Sequence, residues 1–135
     1  MGLSSARLDV QVAVAEMARS EKFYEGKLGL SAVSSGADGS KIYASGGDSS
    51  LVVYPAPDTA GGSKATLATW YVDDVEQMVD ELASRGVTFE HYEGVLESGF
   101  DYSTDERGVS PRAGGGKVAW FKDPDGNIFS IESDR

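Results

Sequence analysis

The chain says the same thing twice. Residues 8–33, LDVQVAVAEMARSEKFYEGKLGLSAV, run as an alternating strand, an acidic helix start, an amphipathic helix and a glycine exit. Residues 67–92, LATWYVDDVEQMVDELASRGVTFEHY, repeat that order. Val14 and Glu16 find counterparts in Val72 and Asp74, and Gly29 corresponds to Gly86 after a one-residue slip. A chain of 135 residues holds one ordinary domain, so two copies of one supersecondary unit must share it.

Spacing assigns the helices. Val75, Met78, Val79 and Leu82 recur at the i, i+3, i+4, i+7 positions of a single apolar stripe. Asp73 or Asp74 supplies an N-cap oxygen, and Gly86 suits a left-handed C-terminal cap. Met17, Ser20, Phe23, Tyr24 and Leu28 form the matching stripe of the first helix. Glu16 stands at its positive end and Gly29 closes it.

Short strands follow each helix. The first set is SAVSS, KIYAS and LVVYP, joined by the turns GADGS and GGDSS. The second set is VTFEHY, KVAWF and IFSIES, with the turn KDPDGN before the last. Each unit thus reads β-α-β-β-β. Module one spans about residues 7–55 and module two about 65–133, joined by the small, polar linker APDTAGGSK at 56–64. A long segment from Glu93 to Gly115 interrupts module two, a length typical of a lid or of disorder, and a lid over a groove is the expectation.

Composition narrows the function classes. Hydrophobic residues at 40% and charged residues at 25% describe a globular chain, and no apolar run is long enough to span a bilayer. MGLSSARLDV lacks the apolar stretch of a secretory signal and places Ala6 where a myristoylation pattern wants Ser or Thr. The cytoplasm is the expected compartment. No cysteine is present, which excludes disulfides, thiol nucleophiles and thiolate metal sites. A net charge of −10 disfavours nucleic acid and anionic membrane as partners.

Three motifs in order and at the right spacing carry a family resemblance. They are the Val14–Leu30 run with its acid, FY and LGL, the stretch VDDVEQMVDELASRGV, and AWFKDPDGNIFSI. Together they resemble the vicinal oxygen chelate (glyoxalase/bleomycin-resistance-like) superfamily over nearly the whole chain. The resemblance implies an α+β fold of two β-α-β-β-β modules whose sheets curl around a shared cavity, with helices outside. It also implies a homodimer. Alternation on the first strand agrees: Leu8, Val10, Val12 and Val14 face the helix, leaving Asp9, Gln11 and Ala13 on the other face.

Family enzymes hold a divalent metal on inner strands, where it acts as a Lewis acid. By the resemblance, the first ligand position falls on Asp9, seven residues before Glu16, and the second on Leu67, seven before Asp74. The last falls on Ser130, three after Asn127. One carboxylate is too few for a transition metal, so neither metal nor other cofactor is expected. The sole histidine, His91, has no partner at ligand spacing. DPDGN lacks the glycine at the sixth position of a calcium loop, which here is Ile128, and reads as a turn.

Without the metal, a ligand groove remains. Parity places Thr69 and Tyr71 beside Leu67 on the inner face and Trp70 toward the helix. The family hairpin implies that Val118 and Trp120 face inward while Ala119 and Phe121 pack outward. The candidate ligand-binding set is therefore Asp9, Gln11, Leu67, Thr69, Tyr71, Val118, Trp120 and Ser130, with Tyr43, Tyr54 and Tyr92 as further aromatics. Asp9 and Glu132 are the candidate acid/base pair if they face one another. The expected function is metal-independent binding of a small, aromatic or antibiotic-like molecule. The alternatives are an enzyme of the glyoxalase, dioxygenase or isomerase kind with a metal-free site or one rearranged onto Asp9 and Glu132, and a ligand-free interaction protein.

Overall fold

The computed structural model describes residues 2–97 and 99–133. The first half lays down β1 (Val10–Val14), α1 (Met17–Glu21), β2 (Ala32–Ser35), β3 (Lys41–Ala44) and β4 (Ser50–Pro55). The second half gives β5 (Thr66–Val72) and α2 (Val75–Ser84), then a hairpin of β6 (Leu96–Glu97) and β7 (Phe100–Asp101). It ends with β8 (Val109–Pro111), β9 (Lys117–Lys122) and β10 (Ile128–Ser133). The fold is α+β, two four-stranded sheets ordered β1-β4-β3-β2 and β5-β10-β9-β8. In both, the first strand runs parallel to the last strand of its half and the other neighbours are antiparallel. The repeat in the sequence is thus a repeat in topology. No helix among the described residues is long and apolar enough to cross a membrane.

Helix α2 follows its pattern. Val75, Val79 and Leu82 are buried and Met78 packs against them. The Asp74 carboxylate accepts the Gln77 amide at 3.0 Å, satisfying a donor that the first turn leaves open. Gly86 takes φ +97°, as the left-handed exit requires. Helix α1 is less regular. After Glu21 it widens into a π-helical turn, Lys22–Lys27, in which the Leu28 amide donates to the Phe23 carbonyl at 2.9 Å. The extra residue in that turn lets consecutive Phe23 and Tyr24 both enter the core.

The core joins both halves. Tyr24 stacks on Tyr43 at 6.0 Å between ring centres and meets Phe129 edge-on. Trp70 lies against Phe121 and Phe129, which also pack together at 5.7 Å. A polar clasp runs through this apolar contact. Asp123, buried in the DPDGN turn, accepts the Tyr24 hydroxyl at 2.6 Å and the Asn127 side-chain amide at 2.8 Å on one oxygen. Its other oxygen takes the backbone amides of Asp125 and Asn127. Asn127 in turn donates to the Ala13 carbonyl and accepts from the Gly61 amide, both in the first half or the linker. Burial, and then the Asp123 charge, pushes the Tyr24 hydroxyl far above the usual tyrosine range, so it remains a donor.

Three expectations are corrected. Leu8 does not extend the apolar face of β1, because the strand begins at Val10 and Leu8 is 86% exposed. VTFEHY is not a strand; Phe89 makes an isolated bridge to Phe121, and β8 fills the sheet position instead. The segment 93–115 carries ordered structure, the β6–β7 hairpin and β8, although residue 98 lies outside the described residues. Arg107 fixes this segment to α2 by pairing with Glu76 at 2.9 Å and Asp80 at 2.7 Å, and Lys117 pairs with Glu76 as well.

The clasp predicts a large effect of one side chain. Asp123→Ala strands four donors in a buried site and should cost about 3 kcal/mol or more. Chemical denaturation checks it, with exposed Asp48→Ala expected to be neutral to within about 0.5 kcal/mol.

Candidate functional site

Strand parity splits sheet β5-β10-β9-β8 into two chemically different faces. Trp70, Ala119, Phe121, Phe129 and Ile131 turn to the core. Thr69, Ser130 and Trp120 are laterally paired on the opposite face, as are Tyr71, Glu132 and Val118. That face carries a groove of about 470 Å³, lined by Thr66, Leu67, Ala68, Thr69, Tyr71, Tyr102, Arg112, Val118, Trp120 and Glu132.

The floor is polar and internally bonded. Thr69 and Ser130 share a hydroxyl hydrogen bond of 2.7 Å. Ser130 donates to Glu132 Oε2 at 3.1 Å, and Thr69 Oγ1 lies 3.4 Å from the same oxygen. Arg112 approaches the other Glu132 oxygen at 3.7 Å and is held from behind by the carbonyls of Gly115 and Ser133. The rim is aromatic: Tyr71 is nearly half exposed, and Trp120 is half-buried against Tyr92 and Tyr102. The groove thus offers a charged pair and hydroxyls below flat apolar faces. That combination orients a polar group and covers a ring.

Six of the sequence candidates meet here, namely Leu67, Thr69, Tyr71, Val118, Trp120 and Glu132. Ser130 shares their face yet is fully buried, a support beneath the floor rather than an open wall. Asp9 and Gln11 belong to the other half. Asp9 precedes β1 and pairs with Arg7, Gln11 is exposed on β1, and neither lines this groove. Asp9 and Glu132 therefore do not form a pair in the chain. Of the further aromatics, Tyr43 is core, Tyr54 lies half-buried on β4 and Tyr92 stands beside Trp120. His91 is exposed and its Nε2 lies 2.9 Å from the Glu106 carbonyl.

Arg112 and Tyr102 were not singled out in the sequence. The available signal was the GVSPRAGGGKVAW run, a strand, a glycine turn and a strand. Pairing Ser110 with Val118 puts Arg112, two residues on, over the groove.

The donor set does not suit the divalent metal of the family enzymes. The groove floor supplies one carboxylate and otherwise only hydroxyls, and the Arg112 guanidinium already faces that carboxylate. Among the described residues no three His, Cys, Asp or Glu side chains group closely enough to hold a metal ion.

Comparison with known proteins agrees with this architecture. A family model, that of the Glyoxalase/Bleomycin resistance protein/Dioxygenase superfamily, matches residues 8–131. No curated protein matches the sequence at a significant level. Among solved structures, the chain is similar to TnmS3, an antibiotic binding protein from Streptomyces sp. CB03234. The identity is 23% and the TM-score 0.68, covering 100% of this chain and 99% of that one. UcmS2 gives a TM-score of 0.72 at 20% identity, covering 96% and 98%. The bleomycin resistance determinant encoded on the transposon Tn5 gives 0.68 at 18% identity, covering 97% and 99%.

Two outcomes follow from this geometry. Ser130→Glu should lower the melting temperature sharply, since it overpacks a closed site and sets a second carboxylate beside Glu132, a loss of about 2 kcal/mol or more. Thr66→Glu at the exposed groove edge should change stability by about 0.5 kcal/mol at most, and equal melts for the two variants would show an open floor.

Proposed function

The chain belongs to the glyoxalase/bleomycin resistance protein/dioxygenase superfamily, and from that premise we propose that it binds a small organic molecule in the groove of its second sheet without a metal. The observation that carries the reading is Trp120. Its indole lines the groove beside a bonded floor of Thr69, Ser130, Glu132 and Arg112. The ligand is aromatic or antibiotic-like, with a planar ring on Trp120 and polar groups toward the floor. A structural neighbour described as an antibiotic binding protein supports the ligand class. The donor set supports the absence of a metal step, and Glu132, paired with Arg112, serves recognition rather than turnover. The working place of such a binding protein is the cytoplasm.

The functional unit is a homodimer. Both sheets leave open surface for a second copy: Gln11, Ala13 and Tyr54 on the first, with Gln11 exposed, and the groove on the second. Val33 on the edge strand β2 is 65% exposed. A second copy seated on these faces encloses the groove and brings Asp9 and Gln11 to it across the interface. The segment from 93 to 115, which contributes Tyr102, acts as the lid.

Two measurements test this. Elemental analysis of the purified protein should find no stoichiometric nickel, zinc, iron or manganese, and about one ion per chain lost on Asp9→Ala overturns the metal-free reading. In a fluorescence screen of planar antibiotics and aromatic metabolites, Trp120→Ala should weaken each hit by about threefold to tenfold. Trp70→Phe should instead cost stability and leave affinity unchanged, because Trp70 packs on Phe121 and Phe129 and donates to Ser45. Hits indifferent to Trp120 would place the ligand elsewhere.

A further inference from the structure

Trp120 and Tyr102 also line a second pocket, of about 320 Å³, which does not reach Thr69, Arg112 or Glu132. Its walls are aromatic and steeply inclined. Tyr92 stands 5.3 Å from Trp120 with ring planes at 76°, and Tyr102 stands 6.0 Å from it at 81°. Val95 and Ile128 add apolar surface, and Lys64 completes the lining.

The rings are set before any ligand arrives. The Tyr102 amide donates to the Val95 carbonyl at 2.8 Å, and the Thr104 amide to the Tyr92 carbonyl at 2.9 Å. The Tyr92 amide donates to the Thr104 hydroxyl, and the Gly94 amide to the Ser103 hydroxyl, each at 2.8 Å. Two backbone segments are thereby laced together, holding Tyr92 and Tyr102 on Trp120. Preorganised walls spare a ligand the cost of ordering them.

Lys64 is the one charged residue among those lining this pocket, on a chain whose net charge is −10. Glu90 lies close enough to raise the Tyr92 hydroxyl, after burial as the larger cause, but its carboxylate is paired with Lys122 at 3.2 Å. Tyr92 stays a neutral phenol. Lys64 lines the pocket with no ion pair among the described residues, leaving its ammonium for a ligand.

We propose that this pocket is a subsite for a planar aromatic anion, its ring among Tyr92, Tyr102 and Trp120 and its acidic group on Lys64. The subsite deepens the groove reading in sharing Trp120, and it adds a charge requirement that the groove does not impose. Calorimetric titration of the full chain with naphthoate and with its neutral counterpart naphthamide separates the two. Naphthoate should bind about fivefold more tightly than naphthamide, the increment of a partly exposed ion pair. Lys64→Met should erase that preference, bringing naphthoate to the affinity of naphthamide on the same variant, and Tyr92→Leu should weaken both compounds. Lys64 is exposed, so its replacement leaves the fold intact, which a melting curve verifies. If Arg112→Met erases the preference and Lys64→Met does not, the anion sits in the neighbouring groove; the subsite is then wrong and the groove reading stands. Equal affinity for the two compounds, or no binding of either, also overturns the subsite. In that case, hits from the fluorescence screen that depend on Trp120 still uphold the groove.

Discussion

Asp123 sits where the two halves of the chain meet, and its carboxylate is buried there with a full set of donors. Each of its acceptor positions is filled: a tyrosine from α1's π turn, an amide from Asn127, and two backbone donors of its own turn. Asn127 extends the clasp to Ala13 at the end of β1 and to Gly61 in the linker. There is no slack at that point. A Cβ on Gly61 would stand 1.9 Å from the Asp125 carbonyl, and Gly61 itself has φ +68°. Apolar packing between the halves is non-directional, so this bonded turn is what fixes their mutual register.

With the register fixed, the faces of the second sheet acquire opposite roles. The residues that alternate inward build the aromatic core around Phe121 and Phe129. Those that alternate outward are left to make a groove. Neighbouring strands deliver Thr69, Ser130 and Trp120 to one row, so a hydroxyl floor and an indole wall arise from the same lateral pairing. The two tryptophans illustrate the division. Trp70 on β5 spends its surface on packing, and Trp120 on β9 spends its surface on a cavity.

Much of this was legible in the sequence because periodicity encodes facing. The repeat gives the two modules, the 3.6-residue stripe gives α2, alternation turns Val12 and Val14 toward the helix, and the family hairpin turns Trp120 toward the groove. Alternation reports which side a residue takes, however, and not how deep it lies. Ser130 was placed on the right face but is sealed by Thr69 and Glu132. Nor does it report which segment wins a place in a sheet. VTFEHY has the stronger strand composition, yet Phe89 is drawn into the core with a single bridge to Phe121, and the short VSP strand takes the edge of β9 that β10 leaves open. Arg112 was missed for the same reason, since its placement depends on a three-residue strand that local propensity does not announce. Asp9 comes from family spacing, which aligns positions along a chain without saying which of them reach one groove.

The long segment that carries Tyr102 is attached in two ways: β8 is laddered to β9 with Val109 in the core, and the stretch before it is held to α2 at the surface. Its tether to α2 is a set of half-exposed ion pairs, Arg107 and Lys117 on Glu76 and Asp80. The clasp at Asp123 is buried. Electrolyte screens the first kind of contact over a Debye length of about 8 Å at physiological ionic strength and scarcely reaches the second. Ionic strength therefore acts on the ion pairs to α2, while the β8–β9 ladder and the clasp between the two halves stay closed. The molecule separates what holds it folded from what ties that stretch to its surface, and the surrounding salt addresses only the latter.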